Sequence, residues 1–133
     1  MVFWVNSRTL ESIKSGYVDI AQQLVDCIIG RSNSHSSHSY QSVAHNLGLD
    51  GLMGSDGRVS SWIGDMEWIV IAVRDLLSHD SSGKWLMVLD NTNDLSSVPF
   101  DNLIPIESSG NILITSQLME SHHFETIRDS ANE

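Results

Sequence analysis

Apolar residues in this chain fall into two kinds of pattern, and the two kinds alternate. One kind is the short unbroken run: Val2-Phe3-Trp4-Val5, Trp85-Leu86-Met87-Val88-Leu89 and Ile112-Leu113-Ile114. Runs this short, rich in β-branched and aromatic residues, predict strands, and their lack of apolar–polar alternation predicts burial. The run at 85–89 reads as a strand covered on both faces, as in a parallel sheet, and 112–114 repeats it. The other kind is a three-and-four spacing. Over residues 9–29, Ile13, Tyr17, Ile20, Ala21, Leu24 and Ile28 share one helix face. Thr9 or Ser7 is placed to cap the start, Glu11 suits the first turn, and Gly30 is placed to close the end. Gly16 weakens this helix modestly. Over residues 58–78 the stripe is Val59, Trp62, Ile63, Met66, Val70, Val73 and Leu77, with Asp56 as N-cap. Trp68, Ile71 and Ala72 widen that stripe, which predicts cover on more than one side.

The segment 31–57 breaks both patterns. Its first part, Arg31-Ser-Asn-Ser-His-Ser-Ser-His-Ser, has little to bury against the entropy of ordering. A mobile loop is expected across 31–57, with at most a weak helical turn at Val43 to Leu47. Pro99 and Pro105 leave room for only a short helix between the last two strands. Residues 118–133 read as a polar tail with a frayed helix. The order is strand, helix, loop, helix, strand, short connection, strand. This predicts one α/β domain, a parallel sheet of about three strands flanked by helices.

Composition narrows the function. The chain has 133 residues and is 41% hydrophobic, which is one globular domain's worth. Seven Lys+Arg stand against 17 Asp+Glu, a net charge of -10. That balance argues against nucleic-acid backbones and anionic membranes as partners. No apolar run approaches the roughly 18 to 20 residues of a membrane span, and the start lacks the basic, long-apolar form of a signal peptide. A single cysteine, Cys27, forms no intrachain disulfide, and a reducing, cytoplasmic setting is expected. Cys27 and the four tryptophans, Trp4, Trp62, Trp68 and Trp85, read as core. The histidines show no H-E-x-x-H or Cys/His metal spacing, and no G-x-S-x-G elbow or EF-hand loop occurs.

Candidate chemistry sits where the strands end. In an open parallel sheet, ligands bind at the carboxyl ends of the strands. Three polar clusters occupy those ends: Asn6-Ser7, Asp90-Asn91 and Thr115-Ser116-Gln117. A carboxylate directly after an apolar strand is the Walker B arrangement, which presents a hard oxygen to nucleotide-bound magnesium. Asp also begins turns, so that feature alone is weak.

The longer stretch carries more. Lys84-Trp85-Leu86-Met87-Val88-Leu89-Asp90-Asn91-Thr92-Asn93-Asp94, then Leu103-Ile104-Pro105, then Gly110-Asn111-Ile112-Leu113-Ile114-Thr115-Ser116-Gln117, closely resembles the NB-ARC branch of the STAND-class P-loop NTPases. The resemblance is to the NLR-like forms that precede helical-repeat arrays in filamentous fungi. Val2-Phe3-Trp4-Val5-Asn6 resembles that domain's second strand, and Tyr17 to Leu24 the helix after it, so the likeness spans about residues 2–117. It implies a partial NB-ARC domain, strands two to four, in a signalling switch that binds ADP or ATP with magnesium.

By that resemblance Asp90 holds magnesium, and Asn91, Thr115, Ser116 and Gln117 line the nucleotide edge. Asn91 stands where many relatives carry a second acid; an amide takes no proton, so slow hydrolysis is expected. Gln117 stands where the family usually has Arg, and brings no cation to a γ-phosphate. No G-x-x-x-x-G-K-[ST] phosphate loop occurs; the only Gly-Lys pair, Gly83-Lys84, is followed by Trp85. The loop would belong to a strand upstream of residue 1. Ile112-Leu113-Ile114 would then lie beside a strand this chain lacks, which predicts self-association or pairing with full-length relatives. The alternative function is a non-catalytic interaction fragment, or a degenerate remnant, acting through that exposed edge.

Overall fold

Two right-handed crossovers that step the same way across a parallel sheet place their helices on the same face. The three parallel strands of this chain step one way across their sheet. The structure, a computed structural model, describes residues 1–32, 37–79, 83–92, 100–105, 110–116 and 125–126. Its elements are β1 (Val2–Asn6), α1 (Leu10–Ser32), α2 (Ser37–Leu47), α3 (Ile63–Leu77), β2 (Leu86–Thr92), α4 (Phe100–Leu103), β3 (Asn111–Ser116) and β4 (Glu125–Thr126). The sheet order is β1-β2-β3-β4. β1, β2 and β3 are parallel, and β4 runs antiparallel to β3. The fold is therefore α/β, with a three-strand parallel sheet at its centre.

Register sorts the strand residues onto two faces. Phe3, Met87 and Ile112 align across the sheet, as do Val5, Leu89 and Ile114. All six join one core with Ile13, Tyr17 and Ile20 of α1 and Ile69, Val70, Val73 and Leu77 of α3. Tyr17 fastens this face. Its hydroxyl donates to the carbonyl of Leu103 in α4 and lies 3.7 Å from Met87 Sδ. Burial pushes its phenol well above the ordinary tyrosine range, against a weaker opposing pull from Arg74.

The second face is not covered as the apolar runs predict. Val88 is buried between its register neighbours Trp4 and Leu113, but Trp4 is 68% and Val2 50% exposed. Burial on both faces thus holds at the centre of β2 and fails at β1. Trp62 and Trp68, also expected in the core, are 70% and 64% exposed. Trp85 is buried, with its Nε1–H donating to Leu77 O at 3.2 Å.

The helices differ from the expected bounds for local reasons. Thr9 caps α1 reciprocally with Ser12: Ser12 N–H donates to Thr9 Oγ1, and Thr9 N–H to Ser12 Oγ, both at 3.0 Å. The helix runs through Gly30 to Ser32. α3 begins at Ile63, not 58. Asp56 caps a turn instead, accepting the Arg58 N–H at 3.0 Å.

The expected loop over 31–57 holds much more structure than its composition suggests. α2 occupies Ser37–Leu47. Beyond it, Met53 bridges Val59, and Gln22 of α1 stitches the segment down. The Gln22 amide donates to Gly57 O at 3.0 Å and accepts from Val59 N–H at 2.8 Å. Residues 33–36 lie outside the described residues. In the polar tail, Glu125–Thr126 pairs with β3 at Ile114 and Leu113. The β3 edge expected to stand bare is therefore covered over two residues by this chain's own tail.

Candidate functional site

The carboxyl ends of β1, β2 and β3 converge on one edge because the strands run in parallel register. Asn6 pairs with Asp90, and Leu89 with Ile114. Past that point the register slips between Leu89 and Thr92, so that Thr92 meets Ser116. The slip is a bulge centred on Asn91, whose φ of 67° lies in the left-handed region. Asparagine tolerates that region better than most residues, and a bulge beside a site re-aims its side chains.

The bulge assembles a relay of polar groups. Asn91 N–H donates to Thr115 Oγ1 at 2.9 Å, and the Thr115 hydroxyl donates to Asp90 Oδ1 at 2.6 Å. One neighbour strand thus fixes the orientation of an exposed carboxylate on the next. Asn91 Oδ1 is buried and has no hydrogen-bond partner among the described residues. A buried orphan acceptor costs about 1–3 kcal/mol unless a donor or cation meets it.

Behind this edge lies a buried hydroxyl pair. Ser7 N–H and Oγ both donate to Asp90 O at 2.8 Å, and Ser7 Oγ lies 2.9 Å from Thr92 Oγ1. These contacts tie the end of β1 to the end of β2 and hold the Asp90 backbone from below. Arg8 follows at the same edge, exposed, with its N–H bonded to Asn6 Oδ1 at 3.0 Å.

The structure therefore brings Asp90, Asn91, Thr115 and Ser116 together. Gln117 lies outside the described residues. Sequence reasoning passed over Thr92 and Arg8. Thr92 was visible only as a polar residue after the strand, since its partner is 85 positions away.

The donor set suits a hard cation. A carboxylate, an amide carbonyl and hydroxyls are the oxygen ligands magnesium takes, and it usually keeps several waters beside one or two carboxylates. The orphan Asn91 oxygen is the group in need of such a partner. Among the described residues no cluster of three or more His, Cys, Asp or Glu is placed to hold a metal by itself. No described helix is long and apolar enough to cross a membrane. Compared with known protein families, curated proteins and solved structures, the chain finds no match.

Proposed function

We propose that this chain is part of an NB-ARC-type, P-loop NTPase signalling switch, with the β2–β3 edge as the magnesium side of an ADP or ATP site. The observation that carries the reading is the Asp90–Thr115 contact at 2.6 Å beside the orphan Asn91 oxygen. It supports the pairing of a Walker B strand with the strand that follows it in the sheet. In this reading Asp90 and Asn91 hold the cation through oxygen, and Thr115 keeps the Asp90 carboxylate turned toward it. Ser116 lines the same edge, and Gln117 belongs with it by resemblance. Bound magnesium supplies charge neutralisation to the phosphates. Asn91 takes no proton, so the site holds nucleotide rather than hydrolysing it quickly.

The phosphates themselves lack their usual holders. In P-loop proteins they rest on the backbone N–H groups and lysine of the glycine loop. Losing three such charged hydrogen bonds at about 1.5 kcal/mol each weakens binding about a thousandfold. Magnesium-ADP titrated into the 133-residue chain should shift the amide signals of Asp90–Thr92 and Thr115–Ser116, and magnesium-ATP should show no turnover. Saturation no tighter than about millimolar is expected. Micromolar binding would show that other residues cradle the phosphates. Silence at those amides would end the proposal.

A second reading rests on a different observation, the exposed Val2 and Trp4 on the uncovered face of edge strand β1. There the chain is a non-catalytic fragment that pairs with full-length relatives or with itself. Sedimentation decides this: a monodisperse monomer at high concentration removes the self-association arm.

A further inference from the structure

Helix α3 carries apolar surface that the core does not use. Ile69, Val70, Val73 and Leu77 are buried, while Trp68 and Ile71, three residues apart, stay exposed on the other side. Ile63, two turns before Ile71 on that side, is 81% exposed. Trp68 and Ile71 open onto a groove of about 660 Å³ that Leu76 also lines. Its far wall is the end of α2 and the turn after it, from His45 to Asp50. The groove is distinct from the strand-end site, whose residues take no part in it.

Charge and backbone chemistry together select the occupant. Among the described residues the lining includes Asp50 and Asp75 and contains no Lys or Arg. His45 Nδ1 lies 3.2 Å from Asp50 Oδ2. Arg74 approaches Asp75 only to 3.8 Å, and its guanidinium already donates to Asn102 O at 3.1 Å. His79 also lines the groove. With a chain charge of -10, the field at this groove favours a cationic visitor and disfavours a second copy of the chain. One wall is the middle and end of α3, whose backbone groups are paired within the helix, and the other is the end of α2 with the turn after it, so among the described residues no strand edge lines the groove for a visitor to extend. A visiting segment must satisfy its own backbone, which a helix does.

We propose that the groove docks an amphipathic, basic helix of a partner protein. Its apolar side chains cover Trp68, Ile71 and Leu76, and its lysines or arginines reach Asp50 and Asp75. The Trp68 indole face offers a cation a further contact.

The test uses the 133-residue chain at physiological salt and a labelled synthetic helix of about five turns, with leucines on one face and lysines elsewhere. Two comparison peptides carry glutamate for lysine, or the same residues scrambled. The basic helix should bind at least about tenfold more tightly than either comparison. Trp68→Ala and Ile71→Ser, both at exposed positions, should each weaken it about tenfold with unchanged circular dichroism. The double variant Asp50→Asn, Asp75→Asn should weaken it while raising its salt tolerance. Equal binding of the scrambled or acidic peptide overturns the proposal. So does no binding by the basic helix, or affinity indifferent to Trp68 and Ile71. A self-dimer that Ile71→Ser dissolves would show that a second copy fills the groove, and would overturn it equally.

Discussion

Asn91 concentrates the tension in the strand-end site. Its backbone sits at φ 67°, and its buried side-chain oxygen has no partner among the described residues. Both features cost stability, and both vanish in Asn91→Gly, which reaches that φ freely and removes the amide. The substitution should raise stability by about 1 kcal/mol in metal-free buffer, read as a higher denaturant midpoint with unchanged slope. It should also abolish any stabilisation by magnesium. A loss of stability would mean that the amide is satisfied and the bulge needs it. Thr115→Val tests the relay from the other strand. It leaves Asn91 N–H without its acceptor and frees the Asp90 carboxylate, at a cost of about 1–2 kcal/mol. Asp90, Asn91, Thr115 and Ser116 were legible as a group because each apolar run stops abruptly in polar residues. The bulge and the Ser7–Thr92 pair were not, because both depend on register between strands: the bulge on β3, whose Thr115 is 24 positions from Asn91, and the pair on β1, 85 positions from Thr92.

Elements show where local pattern succeeds and where contact decides. The three parallel strands and the two long helices stand close to where periodicity puts them. Of α2 the sequence shows only a weak helical turn at Val43 to Leu47, although Tyr40, Val43, Ala44 and Leu47 keep helical spacing, because the serines and histidines around them dilute the signal. The order of residues 50–60 rests on Gln22, a polar residue of a distant helix that no local pattern flags. Gly16, which reads as a mild flaw in α1, is where the helix meets the sheet. A Cβ there would lie 2.7 Å from Val5 Cγ1, and Val5 is buried. Gly16→Ala should therefore destabilise by about 1–3 kcal/mol, despite alanine's better helix propensity; a stabilised variant would contradict the close approach.

Tyr17 of α1 gives the fold an alkaline limit. Burial raises its phenol above the ordinary value of 10.0, so the folded form holds the proton more tightly than the unfolded chain does. Below about pH 10 both states are neutral and its stabilisation is intact. Above that, the unfolded chain ionises first, and stability falls by about 1.4 kcal/mol per pH unit until the folded phenol titrates too. Tyr17→Phe should be less stable at neutral pH, because Leu103 O loses its donor, yet flatter between pH 10 and 12. Parallel alkaline limbs in the two proteins would contradict this.

At the scale of the whole molecule, α1, α3 and α4 all pack on the face that carries Phe3, Met87 and Ile112. This follows from a strand order that advances in one direction without reversing. The sequence announces buried strands, but whether a second layer exists depends on what lies against Val2 and Trp4, which no run of apolar letters states. The same one-directional order brings three strand ends to one edge, with a carboxylate at its centre. The direct test of that edge is paramagnetic manganese in place of magnesium, added to the chain without nucleotide and read as amide line broadening. Broadening should begin at Asp90–Thr92 and Thr115–Ser116, and Asp90→Asn should abolish it while leaving the spectrum folded. If those amides stay sharp while acidic surface positions broaden, or if Asp90→Asn changes nothing, the strand ends hold no cation and the account is wrong.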